Sequence, residues 1–163
     1  MIRTSTLLFA TLLAAPGVAL GQMRVSVGAG VGISGSTDES LSYGRGAPIL
    51  MAQVTRPLLP FIGFGGEVDY WKGSVSHVGF ATAVVQARLP VIPLYVKAGL
   101  GYGNGSPDNR GNVSGLAGQV GAMYDITLPL APIALTVFGN AFLAHAALRS
   151  VQTVDAGLAI TWR

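Results

Sequence analysis

Met23-Arg-Val-Ser-Val27-Gly-Ala-Gly-Val31-Gly-Ile33-Ser34 alternates without a break. Met23, Val25, Val27, Ala29, Val31 and Ile33 form one apolar face, and Arg24, Ser26, Gly28, Gly30, Gly32 and Ser34 form a small, polar one. A period of two over this length is a β-strand whose faces meet different surroundings. The far end of the chain repeats the pattern. Val154, Ala156, Leu158, Ile160 and Trp162 oppose Asp155, Gly157, Ala159 and Thr161.

Working inward, Leu94, Val96, Ala98, Leu100 and Tyr102 oppose Tyr95, Lys97, Gly99, Gly101 and Gly103. Over residues 61–71, Ile62, Phe64, Val68 and Tyr70 oppose Gly63, Gly65, Glu67 and Asp69. Weaker β patterns lie near 48–56, 78–88, 113–126 and 133–144. These runs predict eight strands of about ten residues, the length a tilted strand needs to cross a bilayer.

The connections give a second count. Pro-x-x-Pro occurs at Pro57 and Pro60, Pro90 and Pro93, and Pro129 and Pro132. Proline cannot donate to a β ladder, so each pair marks a tight turn, expected on the periplasmic side. Polar stretches at 35–46, 72–77, 104–112 and 145–150 supply four loops at the other end. Three turns and four loops join eight antiparallel strands. The expected fold is therefore all-β: an eight-stranded antiparallel up-and-down transmembrane β-barrel.

Composition agrees. Only 10% of the 163 residues are charged, where a water-soluble domain has about a quarter. The mean hydropathy of +0.54 is high for a soluble globule. The 23 glycines suit turns and close backbone approaches rather than helices. Without cysteine there is neither a disulfide framework nor a thiolate metal site. A net charge of +3, scattered along the chain, leaves no nucleic-acid footprint.

Residues 1–21 read as a signal peptide: Arg3, the apolar run Leu7 to Ala15, then Ala19-Leu20-Gly21 before cleavage at Gln22. The expected mature region, 22–163, forms the barrel. Sec-type export then leads to the bacterial outer membrane.

The last strand carries the most specific motif. Asp155-Ala-Gly157-Leu-Ala-Ile160-Thr-Trp162 has a polar residue, a glycine two later, then apolar or aromatic residues at alternate positions. With the strand count, it resembles the small outer-membrane β-barrel superfamily of eight-stranded OmpA-like and OmpX-like proteins. The resemblance covers the whole mature region as architecture. It implies that Asp155, Gly157, Ile160 and Trp162 form a C-terminal insertion signal read by the outer-membrane assembly machinery. It also implies contact with outer-membrane lipids and lipopolysaccharide, and a monomer. Arg163 departs from the pattern, because such chains usually stop at the aromatic.

Strand parity puts Arg24, Glu67, Asp69, Lys97, Asp125 and Asp155 on the lumen face, where they form a polar network in which Lys97 pairs with Glu67 or Asp69. A cation facing lipid at the midplane costs roughly 2–4 kcal/mol, which favours the lumen. Tyr70, Phe80 and Tyr102 are expected at the outer rim, and Tyr124 and Trp162 at the periplasmic rim.

Chemical motifs give little. Gly30-Val-Gly32-Ile-Ser-Gly35 matches the dinucleotide fingerprint but leads into a loop and a strand rather than a helix. Barrel enzymes that deacylate lipid A resemble this chain in size, with serine two residues after the catalytic histidine. Here Ala147 follows His145 at that spacing, and Gly79 follows His77. No catalytic set, metal site or cofactor is expected. The expected role is structural or surface-interacting, against a lipid-modifying enzyme, a narrow ion channel or a soluble lipocalin-like barrel.

Overall fold

The computed structural model describes residues 23–37, 41–43, 46–72, 77–106, 113–128, 132–146 and 149–163. The predicted signal segment and Pro129 lie outside them. The strands are β1 (Arg24–Thr37), β2 (Leu41–Tyr43), β3 (Ala47–Leu59), β4 (Ile62–Lys72), β5 (His77–Arg88), β6 (Leu94–Ser106), β7 (Val113–Thr127), β8 (Ile133–Ala146) and β9 (Arg149–Trp162). All long neighbours pair antiparallel in sequence order, and β1 also pairs with β9, from Val25 opposite Trp162 to Ser36 opposite Val151. The sheet closes into an eight-stranded up-and-down barrel. The three-residue β2 adds only a short extension beside Gly35–Thr37 of β1.

The eight barrel strands run from 11 to 15 residues, long enough to span a hydrocarbon core when tilted. They overrun the expected loops: β1 continues to Thr37, β6 to Ser106 and β8 to Ala146.

One end of the barrel holds Arg24, Arg163 and the β3–β4, β5–β6 and β7–β8 connections, and is here the turn end; the other is the loop end. Prolines punctuate the turn end in two ways. Pro90 and Pro93 lie between β5 and β6, whereas Pro57 sits inside β3 opposite Gly63, with a register shift before Leu59 opposite Ile62. The missing proline N–H is accommodated at that irregularity. Turn-end carbonyls close the connections. Asp125 N–H donates to Pro93 O at 2.9 Å, and Arg163 N–H to Pro132 O at 3.1 Å.

Burial is inverted relative to a soluble barrel. Leu100 and Val31 on the outer face are each 68% exposed, while Glu67 and Asp69 inside are 2% and 0% exposed. Small residues permit so narrow a closure. A Cβ at Gly30 would overlap the carbonyl oxygen of Ala156, and one at Gly101 that of Ala81. The outward Gly118 meets no such obstacle.

Candidate functional site

The barrel interior gathers the chemistry, and strand parity delivers each group there. At the turn end, Asp125 of β7 is the hub. Arg24 Nη2 donates to its Oδ1 at 2.7 Å, and Arg163 Nη2 to its Oδ2 at 2.9 Å. Thr136 Oγ1 also donates to Asp125 Oδ1, at 2.6 Å. That uses the only proton on Thr136, so its 2.6 Å contact with Thr161 must be accepted. Thr161 in turn accepts from Ser26 at 2.8 Å, which orients the hydroxyl chain toward the carboxylate. The Arg24 guanidinium lies 4.5 Å from the centroid of the Tyr95 ring.

Gln53 links this layer to the next. It accepts from Arg24 Nη1 at 3.1 Å and donates Nε2 to Glu67 Oε2 at 2.8 Å. Lys97 Nζ pairs with the same Glu67 oxygen, both side chains being fully buried. Of the two carboxylates expected for Lys97, the direct partner is thus Glu67. Asp69 and Asp155 lie within electrostatic range of Lys97 and Glu67.

The loop-end half of the interior is aromatic. Trp71 packs edge-on against Phe80 and Phe142, each at 5.3 Å between centroids, and Phe80 stacks on Phe142 at 4.6 Å. This corrects the placement of Phe80: it is 2% exposed and faces the lumen, not the outer rim. Tyr70, Tyr102, Tyr124 and Trp162 do face outward. Glycines make room for the rings. A Cβ at Gly32 would overlap the Trp71 indole nitrogen, one at Gly103 would come within 2.8 Å of Phe80, and one at Gly157 within 2.6 Å of Phe138.

In β9, Asp155 and Gly157 point inward, while Ile160 and Trp162 point outward. The sequence reading did not place Ser26, Gln53, Thr136, Thr161 or Arg163 in the network, nor did it bring Trp71, Phe80 and Phe142 together. Arg163 shares the parity of Asp155 and Thr161, which was a usable signal.

Catalytic geometry is sparse. His145 Nδ1 lies 2.7 Å from Ser150 Oγ at the exposed loop end. Among the described residues no carboxylate hydrogen-bonds His145, and no cluster of His, Asp or Glu is placed to hold a metal. The glycine fingerprint at 30–35 lies within β1, and the next described element is the strand β2.

No protein-family profile and no curated protein matches the chain. Solved structures do. The attachment invasion locus protein Ail of Yersinia pestis superposes with a TM-score of 0.62 at 13% identity, over 86% of this chain and 99% of that one. Neisserial surface protein A gives 0.59 at 15% identity, covering 86% and 96%. The N-terminal β-barrel domain of Pseudomonas aeruginosa OprF gives 0.50 at 13% identity, covering 85% and 97%. At these identities the likeness is one of fold: this chain has the fold of the small eight-stranded outer-membrane barrels.

Proposed function

We propose that the chain is an outer-membrane protein, a non-enzymatic barrel that anchors loops at the cell surface in a structural or surface-interaction role. The observation that carries the reading is the inverted burial. An apolar belt is exposed all round, and charged side chains are sealed inside. Water outside the wall would leave that belt without an apolar partner, whereas lipid outside and a closed, polar lumen suit the two faces. This argues against the soluble lipocalin-like alternative. The fold shared with three outer-membrane barrels points the same way.

The turns then face the periplasm and the loops the exterior, with lipids and lipopolysaccharide around the belt. The Asp155-to-Trp162 segment serves as the signal for the assembly machinery. The channel reading is the weaker one, because the aromatic cluster lies across the interior. The enzymatic reading is weaker too, because among the described residues no acid orients the His145–Ser150 pair.

Cell fractionation with heat-modifiable gel mobility tests the proposal. The expected result is recovery with outer membranes and a mobility that changes on boiling. Recovery in the soluble periplasmic fraction, with unchanged mobility, would overturn it.

A further inference from the structure

At the turn end the lumen opens into a cavity of about 220 Å³ whose lining includes Arg24, Arg56, Arg88 and Arg163, and no acidic side chain among the described residues. Asp125, deeper in, offsets one of these charges by pairing with Arg24 and Arg163. Arg56 and Arg88 make no ion pair among the described residues. Several guanidinium groups around one small cavity repel one another unless an anion sits between them. Two further groups lack partners among the described residues: Arg24 Nε, a donor, and Oε1 of the 4%-exposed Gln86, an acceptor lining the same cavity.

The cavity is not purely polar. Leu59, Phe61 and Ile62 also line it, and all three are exposed, continuing the apolar belt to the rim. A ligand matching both halves carries an anionic phosphate, a hydroxyl for Gln86, and acyl chains that remain in the belt. We propose that this cavity binds the head group of an anionic phospholipid from the leaflet at the turn end, with arginines gripping the phosphodiester. Planar guanidinium forks suit phosphate oxygens better than a point charge does. The inference rests on the membrane reading above, since the lipid must reach the cavity from the surrounding leaflet.

The test uses the full chain folded in detergent, with folding and insertion read first by heat-modifiable mobility. A chain that never inserts into vesicles overturns the membrane reading itself. An inserted barrel that fails the binding test overturns only this inference. Native mass spectrometry then follows retention of phosphatidylglycerol, phosphatidylcholine or inorganic phosphate. The expected result is a one-to-one phosphatidylglycerol adduct, retained about tenfold better than phosphatidylcholine and weakened by salt. The double variant R56Q/R88Q should lose the preference, and Lys72→Gln, at the exposed loop end, should keep it. If the double variant does not fold, R56Q alone and the salt dependence of the unaltered chain serve. Equal retention of both lipids, a preference untouched by R56Q or by salt, or full displacement by equimolar phosphate would overturn the proposal.

Discussion

Removing the ammonium of Lys97 leaves Glu67 buried with Gln53 as its remaining donor, in a layer that also holds Asp69 and Asp155. Breaking a buried ion pair from one side costs about 3–5 kcal/mol, because the surviving charge stays desolvated. Lys97→Met is therefore expected to lower the melting temperature in detergent markedly, as followed by circular dichroism. A melting curve unchanged from the unaltered barrel would contradict that. Adding Glu67→Gln should recover part of the loss. Glycines give a second contrast at this scale. Gly101→Ala places a methyl group against the Ala81 carbonyl, whereas Gly118→Ala points outward into ordinary contact. The first should cost about 1–3 kcal/mol and the second little, measured as unfolding free energies in urea.

Along each strand, alternation decides which solvent a residue meets. Leu100 lies mid-strand in β6 and Ile126 near the turn end of β7, both facing outward. Leu100→Arg should destabilise the inserted barrel by about 2–4 kcal/mol and Ile126→Arg by about 0–1 kcal/mol, since the penalty depends on depth. Equal costs in a reversible unfolding assay would argue against a bilayer-spanning belt. This scale also shows what was legible in the sequence. In β1, β4, β6 and β9 one face is glycine-rich or charged, so parity follows from the residues themselves. In β5, Val78, Phe80 and Val84 face in while Ala81, Ala83 and Val85 face out. Apolar residues fall on both faces there, and pattern alone misplaced Phe80. Partner choice was less legible still. That Lys97 meets Glu67, and Arg163 meets Asp125, depends on how far strands shift around the closure, and no single strand carries that information.

At the scale of the whole molecule, the interior is polar toward the turns and aromatic toward the loops. The Trp71–Phe80–Phe142 cluster spans the loop-end half, and eight strands leave an interior only wide enough for side chains. Planar-bilayer recordings are therefore expected to show no steady conductance from the unaltered barrel. Phe142→Ala combined with Trp71→Phe, which removes bulk from that cluster, is expected to raise the conductance in the same recordings. The two tryptophans also report directly on the arrangement of the wall. Trp162 faces outward near the turn end, and Trp71 is buried inside. The decisive measurement is fluorescence of two single-tryptophan variants, Trp71→Phe and Trp162→Phe, folded in vesicles with bromine on the upper acyl chain. The account predicts strong quenching of Trp162 by the brominated lipid and almost none of Trp71. Trp162 untouched by the lipid but quenched by aqueous iodide would contradict it.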